Sequence, residues 1–193
     1  MTRLAAFAFA AALVVPASAT DWTVDTARST LSFEVTAQGS PFNTVFKDWT
    51  SEIAFDPADL STAHAKIAVT LTSADSGDRQ RDGMMVSKSW FDAAGEAFTA
   101  PANVPAGQAI FQTTAFRQTG DNAYEADATL SMRDAAKPVT LPFTLTITGS
   151  EAHMTGSVAI DRTQWGVGQG QYAGSDPVAT AVMVNIEIYA TAE

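Results

Sequence analysis

The chain has 193 residues, a formal net charge of −10 and no cysteine. The acidic balance argues against nucleic acids and anionic membrane surfaces as partners, because both bind surfaces rich in Lys and Arg. Without cysteine there are no disulfides and no thiol nucleophile, so burial alone must hold the fold together.

The N-terminus has the pattern of a secretory signal peptide. Arg3 precedes an apolar run from Leu4 to Val15, and the small residues Ala17-Ser18-Ala19 form a cleavage motif before Thr20. The run is shorter than the roughly 20 residues that a membrane span needs. We therefore predict a signal peptide over residues 1–19, cleaved near Ala19/Thr20, and one exported domain over residues 20–193 that does not insert stably into a membrane.

From Trp22 onward most apolar residues alternate with polar ones, which is the period of a half-buried β-strand. Ten segments are strand candidates, and the last ones are the most regular. In chain order they are Trp22–Asp25, Leu31–Thr36, Thr50–Phe55, Ala65–Leu71, Phe98–Val104, Ala109–Arg117, Tyr124–Arg133, Lys137–Gly149, Glu151–Asp161 and Val178–Ile188. The connections are mostly short, so consecutive strands are predicted to pair antiparallel.

The segment Lys137–Gly149 has the strongest alternation. Its apolar side consists of Val139, Leu141, Phe143, Leu145 and Ile147. This side either packs against the protein's own core or lines a cavity for another molecule.

One segment, Ser76 to Phe91, breaks the strand pattern. Asp78 is a candidate N-cap for one or two helical turns that contain Met84 and Met85. Gly83 lowers the helix propensity by about 1 kcal/mol relative to Ala. We interpret this segment as a short helix that covers one end of the sheet.

Long antiparallel strands with one apolar face close into a barrel or pair into a sandwich. A barrel of about eight strands has an interior that side chains can fill or that can hold one ligand. Both arrangements remain open from the alternation alone.

Residue patterns typical of enzymes are missing from the sequence. The motifs G-x-S-x-G, H-E-x-x-H and G-x-x-x-x-G-K-[ST] do not occur. His64 and His153 fall on the polar sides of their strands, and the glycine-rich stretch Gln164–Gly174 leads into a strand rather than a helix, unlike a nucleotide loop. We therefore predict that the protein is not an enzyme and has no metal site or catalytic cofactor.

Aromatic and methionine side chains collect in the first half of the chain, where they form either core or a surface for a flexible apolar ligand. They are Phe33, Phe42, Phe46, Trp49, Phe55, Met84, Met85, Trp90 and Phe91.

Five stretches in succession resemble the motifs of the YceI-like family of bacterial, often periplasmic, polyisoprenoid-binding proteins. They are WTVDTARSTLSFEV (22–35), FDP (55–57), RDGMMVSKSWFD (81–92), LSMRDAAKPVTLPF (130–143) and DRTQWGVGQGQY (161–172). The resemblance implies an all-β fold, a closed antiparallel up-and-down barrel of about eight strands that is lipocalin-like and has one short inserted helix. It also implies a bound isoprenoid lipid or quinone inside the barrel and a periplasmic location.

On this basis we expect a carrier that sequesters a polyisoprenoid, quinone or prenylphenol. The predicted cavity-lining residues are Phe33, Val35, Phe42, Phe46, Trp49, Met84, Met85, Trp90, Phe91, Leu130, Met132, Leu141, Phe143 and Trp165. Met84 and Met85 are expected in a cover, and Trp49, Trp90 and Trp165 near an opening. Arg81, Asp82 and Arg162 are expected to hold loop and helix to the barrel rather than to contact a headgroup.

Two kinds of protein partner are considered besides the ligand: a membrane quinone or cytochrome system in transient contact, and a second copy of the chain in a homodimer. Two other functions stay open. The first is a filled barrel that acts through protein–protein contacts, and the second is a lipid-modifying enzyme with a buried acid, base or nucleophile.

Overall fold

The computed structural model describes residues 19–96 and 104–193. Within them the chain forms eleven β-strands and one α-helix. The strands are β1 (Trp22–Val24), β2 (Thr30–Ala37), β3 (Ser40–Phe46), β4 (Trp49–Ala54), β5 (His64–Thr70), β6 (Ala74–Asp75), β7 (Gln108–Gln118), β8 (Ala123–Met132), β9 (Ala135–Thr148), β10 (Glu151–Asp161) and β11 (Val178–Ala192). The helix α1 (Arg79–Met85) lies between β6 and β7. The predicted signal peptide, apart from Ala19, and the predicted strand Phe98–Val104, apart from Val104, lie outside the described residues.

All strands pair antiparallel in one sheet with the order β4-β5-β7-β8-β9-β10-β11-β2-β3-β6, and β1 pairs with β11. The edge strand β4 comes back to β1, since Asp21 forms a bridge with Ala54 and the Phe55 amide donates to the Thr20 carbonyl over 2.8 Å. The sheet is thus curled around a central space. This architecture confirms the predicted all-β antiparallel fold with one inserted helix, but the sheet of the described residues has eleven strands rather than the predicted number of about eight.

The alternation of the strands confirms the predicted two-sided pattern. On β9, Leu141 and Phe143 are buried, whereas their neighbours Thr140, Pro142 and Thr144 are exposed. On β2, Phe33 and Val35 are buried and Glu34 between them is exposed. One face of each strand therefore forms the interior of the barrel.

Two strands, β3 and β6, were missed by the strand predictions. β3 contains Pro41 and Asn43, residue types that are depleted in strands, and both are exposed on its outer side. Its inner side alternates correctly through Phe42, Thr44 and Phe46. β6 has only two residues, Ala74 and Asp75, which is too short for a periodic signal.

One end of the barrel is filled by a cluster of rings, which we call the aromatic end: Trp22, Phe55, Phe116, Tyr124 and Phe143. Phe55 lies 5.2 Å from Phe116 and 5.5 Å from Tyr124, measured between ring centroids, and Tyr124 stacks on Phe143 at 5.4 Å. The Trp22 indole donates to the Phe55 carbonyl over 2.9 Å. Edge-to-face and offset ring contacts of this kind stabilise a core beyond the area they bury.

The opposite end is covered by α1 and the segment that follows it. Asp78 caps α1 by accepting from the amides of Gln80 and Arg81 at 2.9 and 3.1 Å, as predicted. The following segment is held down at the Ser89 carbonyl, which accepts from the amides of Gly168 and Gln169 at 2.9 and 2.8 Å. The predicted cover is therefore present and is fixed to the loop before β11.

Gly168 is required at this contact. Its backbone has a φ of +82°, and a Cβ there would come within 2.0 Å of an Arg162 guanidinium nitrogen. Only glycine allows the loop and the arginine to approach each other this closely.

Across residues 19–96 and 104–193, no helix has the length and the apolar character of a membrane span.

Candidate functional site

The barrel encloses a cavity of about 550 Å³ that extends from α1 to the aromatic end. This volume lies within the range of roughly 300–1,000 Å³ that is typical of small-molecule sites. The lining consists almost entirely of apolar side chains from the inner faces of the strands, together with side chains of α1 and the segment after it. The interior is therefore not filled by the protein's own core.

The structure brings together all but one of the predicted cavity residues. Those that line the cavity are Phe33, Val35, Phe42, Phe46, Trp49, Met84, Met85, Trp90, Phe91, Leu130, Met132, Leu141 and Phe143. Trp165 does not line it: this side chain is only 2 % exposed, and its indole donates to the Leu130 carbonyl over 2.9 Å. Its place is inside the wall, so the expectation that it flanks an opening is corrected. Ligand contact by the other residues stays a prediction.

The Lys137–Gly149 face is directed inward over most of its length. Val139, Leu141, Phe143 and Leu145 line the cavity, whereas Ile147 is half-buried outside it. Four of the five apolar residues of this segment therefore line a cavity rather than pack into a filled core.

Many other residues line the cavity that were not among those predicted from the sequence. They share the inward-facing side of their strands but are mostly aliphatic: Leu31, Ile53, Ile67, Phe111, Phe116, Met154, Val158, Ile160, Val182, Val184, Ile186 and Ile188. The alternation predicted most of them to face inward. Most predicted cavity residues were chosen because they are aromatic or methionine, so these aliphatic ones were omitted. Residue type does not distinguish a cavity wall from a filled core.

Within residues 19–96 and 104–193, five polar residues line the cavity: Gln38, Ser40, Arg81, Thr113 and Arg162. Thr113 belongs to the wall, because its Oγ1 accepts from the Ala65 amide at 2.7 Å and donates to the Ala65 carbonyl at 3.2 Å.

Arg162 is 3 % exposed and is saturated by backbone carbonyls. Its guanidinium donates to the carbonyl oxygens of Val167, Ala179, Tyr172, Gly174 and Val178, over 2.6 to 2.9 Å. Burial lowers the pKa of this guanidinium from its ordinary value, and Asp161 acts in the opposite direction. Arg162 therefore holds the loop before β11 to the barrel, as predicted.

Trp90 is buried between Tyr172 and Arg162. The Trp90 and Tyr172 ring centroids are 5.2 Å apart, and the guanidinium carbon of Arg162 lies 5.3 Å from the Trp90 ring centroid. The indole Nε1 of Trp90 is covered and has no hydrogen-bond partner in the described part of the chain.

Asp82 fixes the approach to α1, because its carboxylate accepts from the Ser76 amide at 2.9 Å and from the Ser76 hydroxyl at 2.6 Å. Its predicted structural role is thus supported.

The cavity opens between the β2–β3 hairpin and α1. Gln38, Ser40, Pro41 and Met84 line the cavity and are also exposed, and Arg81 beside them is partly exposed. We call these five residues the entrance. The predicted opening therefore exists, but it is formed by this hairpin and α1 rather than by the three tryptophans.

The histidines lie away from the cavity. His153 stacks on Tyr189, with 4.3 Å between ring centroids, and its Nε2 lies 2.9 Å from a Glu187 carboxylate oxygen. Hydrogen bonds from His153 and from the Tyr189 hydroxyl lower the pKa of Glu187. Among the described residues there is no group of three or more His, Asp or Glu side chains that could hold a metal ion.

The YceI-like domain matches residues 22–191, which is nearly all of the described chain. The chain belongs to the YceI-like family. In sequence, this YceI-like protein is 26 % identical over 137 residues to the UPF0312 protein VPA0850 of Vibrio parahaemolyticus, a match that covers 69 % of this chain and 67 % of that protein.

Solved structures show the same fold. BcnA of Burkholderia cenocepacia has a TM-score of 0.79 and 28 % identity, covering 88 % of this chain and all of that one. A polyisoprenoid-binding domain from Saccharophagus degradans, implicated in plant cell wall breakdown, has a TM-score of 0.67 and 13 % identity, covering 90 % and 99 % of the two chains. The YceI protein of Campylobacter jejuni has a TM-score of 0.66 and 16 % identity, covering 80 % and 86 %. At such low identities the last two show the fold alone.

Proposed function

We propose that this YceI-like protein binds one long isoprenoid chain inside its barrel and carries or stores it in the periplasm. The observation that carries this proposal is the apolar cavity of about 550 Å³ with an entrance at one end. The polyisoprenoid-binding domain of Saccharophagus degradans, which shares the fold, supports an isoprenoid as the class of ligand. The signal-peptide pattern of residues 1–19 supports the periplasmic location.

The energetics of burial favour such a ligand. About 20 buried carbons gain on the order of 16 kcal/mol at ~0.8 kcal/mol per CH₂. Association costs an estimated ~4–15 kcal/mol, so burial of the chain alone can supply affinity. A quinone or a prenylphenol would place its apolar tail in the barrel and its headgroup near the entrance.

We propose binding rather than catalysis because the wall is built of apolar side chains, and because Thr113 and Arg162 already bond to backbone groups. The cavity also weighs against the alternative of a filled barrel that acts only by protein–protein contacts. Transient contact with a membrane quinone or cytochrome system, and a homodimer, remain proposals that accompany the carrier role.

The test is native mass spectrometry of protein isolated from the periplasm without detergent, followed by organic extraction. We expect one prenyl compound per chain. The delipidated protein should then be stabilised against heat by geranylgeraniol, with 20 carbons, and not by 3-methylbut-3-en-1-ol, which has the same hydroxyl headgroup but only five carbons. Empty protein that neither prenols nor quinones stabilise would contradict the proposal.

A further inference from the structure

Among the described residues, two charged side chains line the cavity, those of Arg162 and Arg81, and their surroundings are very different. The Arg162 guanidinium is buried and donates to five carbonyl oxygens, so it has little capacity for a ligand. The Arg81 side chain is 29 % exposed and lies at the entrance. Of these two, Arg81 is therefore the cation that an incoming headgroup meets, in contrast to the purely structural role that the sequence suggested for it.

The contacts of Arg81 position the guanidinium but leave its donors available. In the described chain it has one ion pair, to Asp78 at 3.7 Å, which is longer than a hydrogen bond. The guanidinium carbon lies 4.2 Å above the centroid of the Phe42 ring. A ring face orders the guanidinium without supplying a carbonyl or carboxylate acceptor. The side chain is thus held in place beside the cavity with hydrogen-bonding capacity to spare.

The carboxylates near Arg81 already accept hydrogen bonds from other groups. Asp78 accepts from two amides at the start of α1, and Asp82 accepts from Ser76. A half-exposed pair such as Arg81–Asp78 contributes little energy in water, so a ligand anion can compete with it. Gln38 and Ser40 on the facing hairpin add neutral polar groups to the same rim.

An apolar chain that fills the entrance would remove water from the Arg81 guanidinium. A neutral headgroup would leave that charge with only the Asp78 carboxylate, 3.7 Å away, as a counter-charge. An anion would form charge-assisted hydrogen bonds with the guanidinium, whose planar group can bind carboxylate or phosphate oxygens in pairs. We infer that the entrance selects isoprenoids with an anionic headgroup, a carboxylate or a phosphate, through Arg81. This inference rests on the proposed function and adds the class of headgroup.

The experiment measures the Kd of delipidated protein for three ligands with the same 20-carbon chain: geranylgeranyl phosphate, geranylgeranoic acid and geranylgeraniol. We expect the two acids to bind at least about tenfold more tightly than the alcohol, the factor that corresponds to about 1.4 kcal/mol. R81M should abolish this preference: both acids should bind more weakly than to the wild type, whereas the alcohol, which no longer desolvates a charge at the entrance, should bind at least as tightly as before. R81K should retain part of it, because the charge stays but the paired hydrogen bonds are lost.

The matched control is R79M, which removes the same charge from an exposed position of the same helix that does not line the cavity. It should retain the preference for both acids. Equal Kd values of the wild type for acids and alcohol, equal weakening of all three ligands by R81M, or loss of the preference in R79M would each overturn the inference. If the alcohol binds and the acids do not, this inference alone fails. If none of the three binds, the proposed function fails with it.

Discussion

At the scale of single residues, the environment of an arginine decides its role. Arg162 and Arg133 are 3 % and 5 % exposed, in a chain with only 11 Lys and Arg residues. Both donate to backbone carbonyls, Arg133 to those of Lys88 and Trp90 in the covering segment. Burial lowers the pKa of both guanidinium groups. These two residues attach the irregular segments at the covered end to the barrel.

We predict that R162M lowers the free energy of unfolding by at least about 3 kcal/mol. Five carbonyl oxygens lose their donor, and each buried polar group left unpaired costs about 1–3 kcal/mol. Urea denaturation followed by circular dichroism measures the effect.

The control for that substitution is R117M. Arg117 pairs with Glu125 and Asp127 on the exposed surface of the barrel, where such pairs contribute less than about 1 kcal/mol. Equal stability losses in R162M and R117M would show that the carbonyl contacts of Arg162 do not contribute as argued.

At the scale of elements, each long strand separates the cavity from the outside. On β11, Val182, Val184, Ile186 and Ile188 line the cavity, whereas Met183 between them is 41 % exposed on the outer face. Neighbouring residues of one strand therefore face opposite sides of the barrel wall, so substitutions at them change either the cavity or the outer surface.

V184F should weaken the binding of a long isoprenoid while leaving the protein folded. The larger side chain enters empty space rather than packed core, so it reduces the volume for a ligand with little strain. Isothermal titration with geranylgeraniol gives the Kd, and thermal melting checks the fold. M183F adds the same ring on the outer face and should change neither quantity. Unchanged affinity in V184F would place the ligand elsewhere.

The helix α1 depends on a single cap. D78A removes the carboxylate that accepts from the amides of Gln80 and Arg81, and the loss of such an N-cap costs about 1 kcal/mol. We expect hydrogen exchange in α1 to accelerate about fivefold, with no change in β8–β11. D121A, in the exposed β7–β8 turn, serves as the control. Equal exchange in α1 of wild type and D78A would contradict this role of the cap.

At the scale of the whole molecule, carboxylates that accept hydrogen bonds in the folded state make the free energy of unfolding depend on pH in the acidic range. Hydrogen bonds lower the pKa values of three carboxylates. Those from His153 and Tyr189 act on Glu187, and those from Arg117 and Thr140 act on Asp127. The backbone amides of Arg81 and Gln80 act on Asp78. A group whose pKa is lower in the folded than in the unfolded chain stabilises the fold while it is ionised. That contribution is complete above the unfolded-state pKa values, near pH 4, and disappears as the pH falls through the folded-state values.

The free energy of unfolding contributed by these carboxylates should therefore be constant above about pH 5 and fall below about pH 4. Urea denaturation at pH 7, 5 and 3.5 measures the trend. The double variant E187Q/D127N should show a shallower decrease, because two of the linked groups no longer titrate. A decrease as steep as that of the wild type would show that other groups carry the acid dependence.

The regular parts of the fold were predictable from local patterns. Leu141 and Phe143 alternate with exposed neighbours, and Asp78 begins α1 where an N-cap was predicted. β3 was not predictable by the same reasoning, because Pro41 and Asn43 on its outer side obscure an inner side that alternates correctly. The local pattern was therefore sufficient wherever both faces of an element carried a consistent signal.

By itself, the sequence determined which side of most strands faces inward and where the helix begins, because a side-chain period of two and an N-cap are local properties. The tertiary structure alone decided that the interior holds a cavity rather than a filled core. It also decided that Trp165 lies inside the wall, and that Arg162 is saturated by carbonyls while Arg81 lies at the entrance. The physical reason is that these outcomes depend on how the curled sheet brings distant segments together, and hence on the volume left between them, which no single stretch of the chain encodes.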